Sequence, residues 1–268
     1  MPLGTFSSSN YLTRAATLPA YPFSVSAWVY VTNIATNQTI WGSYVAASST
    51  NSAELRMNAS GQAAVLMRST PANVSVNSSP TAFTNNAWNF VAGSFVSATE
   101  ARVHVKGTTS SGTSVLCTFD RTLCDREAVG VRADSTLPTF PLLSGRVAEL
   151  AIYSGDLLAN IPGADVASGS KVTPLNWQGV RVLSYWPFYL DPRNFLTGVN
   201  PWTTTGTLTA QSSLPQIAMP QYGAASASDG YTPSESPTIP PLWGLSPLGM
   251  AGWGSGGLGA VQTPSLGV

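Results

Sequence analysis

An antiparallel β-sandwich with an extended C-terminal arm is the all-β fold this sequence predicts, and three observations predict it. Apolar and polar residues alternate in short runs from the start of the chain to about residue 215. Gly, Pro, Asn and Ser cluster between those runs, where tight turns need them. Helical spacing is nearly absent.

The clearest run is Phe23-Ser-Val-Ser-Ala-Trp-Val-Tyr-Val31. Phe23, Val25, Ala27, Val29 and Val31 point one way, and Ser24, Ser26, Trp28 and Tyr30 the other. Both faces carry large side chains in its second half, so it belongs inside a sheet, covered on both sides or lined by a groove on one. Further strands are expected over 38–45, 54–58, 63–68, 88–96, 101–106, 114–119, 128–132, 145–153 and 182–187. Asn58-Ala-Ser-Gly61, Asn85-Asn86 and Thr109-Ser-Ser-Gly112 read as the turns between them, Gly and Asn supplying positive φ. Gly155 to Val166 has room for a turn or two of helix before Pro162 limits it.

Past residue 215 the alternation stops. The expected division is a sandwich over residues 1–218 and a Pro/Gly-rich arm over 219–268. The arm lacks the material for a core of its own. Pro240, Pro241, Leu242, Trp243, Leu245, Leu248, Met250 and Trp253, with Leu258, are spaced along it as anchors for apolar grooves, either on its own sandwich or on a neighbouring subunit.

Hydrophobic residues make up 43% of the 268, enough for a core, while charged residues make up only 9% against roughly a quarter in an average soluble protein. With zero formal net charge such a surface repels its neighbours weakly, which favours association. Lys106 and Lys171 are the only lysines, so nucleic acid is not an expected partner. No apolar run is long enough to span a bilayer, so no membrane partner is expected, and residues 1–10 have no cationic patch leading into an apolar stretch, so no secretory signal is expected. Cys117 and Cys124 either close one small loop, if a hairpin brings them together, or are ordinary thiols.

Read in order, several segments resemble the laminin G-like branch of the concanavalin A-like jelly rolls. They are Thr5-Phe-Ser-Ser-Ser-Asn-Tyr-Leu12 as a first strand, Pro22-Phe-Ser-Val-Ser-Ala-Trp-Val29, Trp88-Asn-Phe-Val-Ala-Gly-Ser-Phe95, Ala101-Arg-Val-His-Val-Lys-Gly107, Leu143-Ser-Gly-Arg-Val-Ala-Glu-Leu-Ala-Ile-Tyr153 and Leu183-Ser-Tyr-Trp-Pro-Phe188. The resemblance covers about 210 residues and implies two stacked antiparallel sheets. Gly145 and Glu149 stand at the family's Gly-x-x-x-Glu place, and Glu149 reads as a structural carboxylate tying a turn to backbone N–H groups rather than as a site. The closing Tyr-Trp-Pro-Phe strand, followed by Asp191, Gly198 and Thr205-Gly-Thr207, resembles variants in structural proteins of tailed bacteriophages. That resemblance implies a virion structural protein, capsid-decorating or tail-associated, with other virion proteins and its own copies as partners. The alternative is a lectin-like module that binds surface glycans.

Catalytic chemistry is not expected. Glycosidases on this architecture need two carboxylates about 5–5.5 Å apart for retaining hydrolysis, and no Glu-x-Asp-x-x-Glu run occurs. Asp120-Arg-Thr-Leu-Cys-Asp-Arg-Glu127 reads as a neutralised loop, its acids interleaved with Arg121 and Arg126. His104, the single histidine, lies mid-strand and reads as a cross-strand hydrogen-bonding residue rather than a triad member or zinc ligand. No cofactor is expected: Asp120, Asp125, Asp134, Asp156 and Asp165 are loop acids compatible with a structural calcium ion, but they form no ligand run and read by default as turn formers. For a sugar, the expected aromatic platform is Trp41 and Tyr44, with Trp28, Trp88 and Trp186 left to core packing. Asn-x-Ser/Thr triplets at Asn37, Asn58, Asn73 and Asn77 matter only in a eukaryotic secretory pathway.

Overall fold

A computed structural model describes residues 3–7, 9–46, 48–70, 72–114, 117–133, 142–160, 180–188 and 194–210. The expected arm, 219–268, and every anchor named on it lie outside the described residues, as do Asp134, Asp165 and Asp191. The strands are β1 Leu3–Phe6, β2 Tyr11–Ala15, β3 Phe23–Val31, β4 Gln38–Val45, β5 Ser48–Met57, β6 Gln62–Arg68, β7 Asn73–Ala82 and β8 Trp88–Phe95. They continue with β9 Glu100–Val105, β10 Thr108–Thr113, β11 Arg126–Val129, β12 Gly145–Ser154, β13 Arg181–Trp186, β14 Thr203–Thr205 and β15 Thr209–Ala210, with a 3-10 turn at Arg121–Leu123 and a short helix, α1 Leu157–Asn160, among the described residues.

The strands form two antiparallel sheets. Sheet I runs β10-β9-β8-β3-β12-β1-β15, with β13 beside β12, and sheet II runs β14-β2-β11-β4-β5-β6-β7. β12 pairs with β1 near its start and with β13 near its end, and a bulge between Ala148 and Ala151 separates the two registers. Among the described residues no helix is long and apolar enough to cross a membrane.

The core lies between the sheets because alternation sends one set of side chains inward from each. Phe23, Val25, Ala27, Val29 and Val31 of β3 meet Leu55, Met57, Val65 and Met67 of β5 and β6 in one buried cluster. Phe23 stacks on Phe95 with ring centroids 4.7 Å apart. Gly93 is small where the sheets approach, since a Cβ there would lie 2.6 Å from Val65 Cγ2.

Several expectations need correction. The segment 5–12 is two strands, not one: β1 joins sheet I and β2 joins sheet II, with a tight Ser7–Asn10 connection carrying the chain from one layer to the other. The expected turn at 109–112 lies inside β10, because Lys106 and Gly107, at φ 47° and 79°, make the hairpin two residues long. No strand covers the described part of 114–119. β7 was not anticipated: in Asn-Val-Ser-Val-Asn-Ser-Ser-Pro-Thr-Ala the alternate buried residues are Val74, Val76 and the polar Ser78, and Pro80 is tolerated because β7 is an edge strand. Of the two readings open for Cys117 and Cys124, the ordinary thiols hold: both are free and buried.

Candidate functional site

Trp41 and Tyr44 do not form a surface platform; both are fully buried. A bulge in β4 between Thr39 and Trp41 turns two successive residues, Ile40 and Trp41, into the core, so strict alternation fails there. Trp41 packs 6.1 Å from Phe95, and its indole N–H donates to Glu127 Oε2 at 3.4 Å. Tyr44 folds back over Gly42, where a Cβ would lie 2.1 Å from the phenol oxygen, and sits under Tyr11, Ala128, Val131 and Ala133.

The aromatic surface is on the other sheet. The outward residues of β3 and β8 meet across the ladder, Tyr30 opposite Trp88 and Trp28 opposite Phe90, and β12 adds Arg146 opposite Tyr30 and Ala148 opposite Trp28. Tyr30 and Trp88 meet edge to face at 5.7 Å, and Trp28 and Phe90 at 5.6 Å. The Arg146 guanidinium lies 4.8 Å from the Tyr30 ring centre. Tyr30, Trp88 and Phe90 are half-buried, and no described residue accepts the indole N–H of Trp88. Trp28 is buried, as expected, but on this face of sheet I; Trp88 is only half-buried there, and Trp186 packs in the inter-sheet cluster. The next rows of this face turn inward: Ala92, Ala151, Tyr153, Leu157 and Tyr185 form a separate buried cluster beneath α1 and β13. Thus one end of the face is closed and the Tyr30–Trp88 end carries the rings.

His104 sits on this face opposite Thr109, as cross-strand bonding predicts. Gly107 N–H donates to Nε2 at 3.2 Å, so Nε2 is unprotonated and the proton on Nδ1 points to Thr109 Oγ1, 2.7 Å away. Burial lowers the imidazole pKa to about 4, which keeps it neutral and both nitrogens engaged.

The described acids have structural partners. Asp120 Oδ1 accepts the Thr122 N–H at 2.8 Å, Asp125 Oδ1 accepts the Ala46 N–H at 2.8 Å, and Asp156 Oδ1 caps α1 through Leu158 N–H at 3.1 Å, all as turn formers do. Glu127 does not neutralise a loop with Arg121 and Arg126; it lies in β11, fully buried, paired with Arg14 at 2.7 Å. Glu149 does not tie a turn to backbone N–H groups: it stands in the β12 bulge at φ 54°, and the Tyr185 hydroxyl donates to its carboxylate. Burial pushes that carboxyl up to about 7, opposed by the Tyr185 hydrogen bond. Among the described residues no three His, Cys, Asp or Glu side chains gather as a metal site.

Residues 4–160 match the Laminin_G_3 family of the concanavalin A-like lectin/glucanases superfamily, and the chain belongs to that family. Among solved structures, it resembles a Bacteroides ovatus ATCC 8483 protein provisionally described as carbohydrate binding, with TM-score 0.51 and 16% identity over 79% of this chain and 60% of that one. It also resembles domain 4 of an extracellular arabinanase from Geobacillus stearothermophilus in complex with arabinotriose, with TM-score 0.42 and 20% identity over 58% and 69% of the two chains. A heptameric SAP-like pentraxin from Limulus polyphemus gives TM-score 0.45 and 11% identity over 76% and 92%. Identities at this level speak for the fold alone. No curated protein matches the chain.

Proposed function

We propose that this chain is a non-catalytic carbohydrate-binding module that stacks sugar rings on the outer face of sheet I, at Tyr30 and Trp88 with Trp28 and Phe90 beside them. One observation carries the reading: the ladder places the half-buried rings of Tyr30, Trp88 and Phe90 and the Arg146 guanidinium in two adjacent rows on the outer face of sheet I, backed by the buried Trp28. Sugar sites pair an apolar aromatic surface with a few fixed polar groups, and here the Arg146 guanidinium beside Tyr30 is such a group. The Bacteroides ovatus protein described as carbohydrate binding supports this reading through the shared fold. The commitment of the described acids to structural partners supports the non-catalytic part.

A glycan array probed with the full chain is the test. Binding to a defined set of glycans is expected, weakened about tenfold by Trp88→Ala, which corresponds to roughly 1.4 kcal/mol. Unchanged binding in both Trp88→Ala and Tyr30→Ala proteins that melt like the parent overturns the assignment.

The composition favours a second reading that is compatible with the first. The low charge, the zero formal net charge and the anchor-bearing arm suit a subunit of a bacteriophage particle, held to other virion proteins and to its own copies through residues 219–268. Removing 219–268 should then leave a chain that no longer enters particles, and normal incorporation of the truncated chain rules this placement out.

A further inference from the structure

The outward face of sheet II carries different chemistry. Because Leu55 and Met57 point into the core, Glu54 and Arg56 point away from it. Register sets three successive rows across β5 and β6 on that outward face: Arg56 opposite Ala64, Glu54 opposite Leu66, and Ser52 opposite Arg68. Such rows lie about 7 Å apart along a strand, so the two arginines flank the glutamate from opposite sides. Arg68 Nε is 4.0 Å and Arg132 Nε 3.8 Å from Glu54 Oε1, which is fully buried. Arg56 and Arg68 thus flank Glu54, the one carboxylate of β5 and β6, in a chain whose formal net charge is zero.

A groove of about 450 Å³ opens at this place, lined by Arg56, Arg68, Leu66, Thr50, Thr70 and Asn73. That volume falls within the range of small-ligand sites. Its lining contains no aromatic ring, so it recognises by charge and hydrogen bonding rather than by stacking. Arg56 Nε is buried, and no described residue accepts its hydrogen. Burial lowers the Arg56 pKa, Glu54 opposes the fall, and Arg68 and Arg132 add to it. A guanidinium crowded by two others is relieved by a further anion, which a ligand in the groove would bring.

We propose that this groove binds the carboxylate of an acidic sugar, with Arg56 and Arg68 as its charged ligands and Thr50, Thr70 and Asn73 lining the space for the ring. A guanidinium presents a planar fork of donors that matches a carboxylate in two parallel hydrogen bonds, which a neutral sugar cannot engage. The site does not rest on the Tyr30–Trp88 reading, since it lies on the other sheet and uses other residues.

Calorimetric titration of the full chain tests it, with trigalacturonic acid and N-acetylneuraminic acid as acidic probes. Lactose serves as the neutral probe, and sodium acetate and sulfate as bare anions. Expected are binding of at least one acidic sugar, at least tenfold weaker binding in Arg56→Gln and in Arg68→Gln, and falling affinity between 50 and 500 mM salt. Glu54→Gln removes the competing carboxylate and should tighten binding severalfold. The proposal is overturned if neither acidic sugar binds, if acetate or sulfate binds as tightly as the sugars, or if lactose competes for the groove. It is equally overturned if both arginine variants bind like the parent. Should those variants fail to fold, the direction of Glu54→Gln decides, and unchanged or weaker binding there sinks the idea. Trp88→Ala separates the two sites, because it should leave acidic-sugar affinity in this groove unchanged.

Discussion

Glu127 and Glu54 are both fully buried and both face arginine, yet their surroundings differ in every other respect. Glu127 accepts Arg14 Nε at 3.0 Å and its terminal nitrogen at 2.7 Å, the Thr17 N–H at 3.1 Å and the Trp41 indole at 3.4 Å. Arg14 in turn lies 4.4 Å and 5.0 Å from the Trp186 and Trp202 ring centres. One cation meets one anion, short hydrogen bonds reach both carboxylate oxygens, and aromatic rings cover the pair. Around Glu54, Arg68 and Arg132 approach one carboxylate oxygen only at 4.0 and 3.8 Å, and Arg68 also lines a groove. The difference teaches how to read buried charge: a carboxylate saturated by short hydrogen bonds and covered by rings holds the fold together, and one met only at long range contributes less to it.

The strongest way to break this contrast is to remove each carboxylate. Glu127→Ala leaves Arg14 charged among tryptophans, with only 7% of its side chain exposed, and should cost about 3–5 kcal/mol in urea unfolding. Glu54→Gln should cost about 1 kcal/mol, because Arg68 and Arg132, at 23% and 13% exposure, can turn toward water. Equal losses would mean that the two clusters do the same structural work, and the contrast would fall.

Glu149 sharpens the comparison with a third arrangement, a carboxyl partnered by a phenol and by no arginine. Burial raises its folded pKa to about 7 from an ordinary 4.5, so the protonated form favours the native state. Its stabilising contribution is complete below about pH 4.5 and is lost as pH rises through 7, a change of about 3 kcal/mol by linkage. Unfolding free energy measured at pH 5 and pH 8.5 should therefore fall in the parent relative to Glu149→Gln, which cannot ionise. Parallel profiles for the two proteins would show that Glu149 is already ionised at pH 5.

Much of this was legible in the sequence, and the failures have physical causes. β3, β4 and β12 could be read because alternation there is strong and the side chains are large. The start of β5 and all of β7 escaped, since Ser, Asn and Thr in a strand look like a loop until a partner strand supplies the ladder. Trp41 was misread as exposed because a bulge between Thr39 and Trp41 breaks the two-residue period there. The rings of the sheet I face were visible one by one, as Trp28 and Tyr30 opposite the core residues of β3. Their meeting with Phe90 and Trp88 depends on long-range register, which no local pattern encodes. The same holds for Arg56, Glu54 and Arg68, ordinary strand residues until β5 and β6 pair.

The smallest expected effect concerns Cys117 and Cys124, which share the sealed character of the Glu127 cluster. Both are buried; Asn51 Nδ2 lies 3.6 Å from one sulfur and Ser69 Oγ 3.5 Å from the other. Burial pushes the Cys124 thiol up to about 12, so at pH 7 its thiolate fraction is about one in 10⁵, and the thiolate is the nucleophile. Alkylation of the native chain should be slow and should accelerate sharply in urea, while a reducing agent should leave the melting temperature unchanged. A drop in melting temperature on reduction would reveal a bridge, and with it a loop closed by covalent geometry rather than by burial.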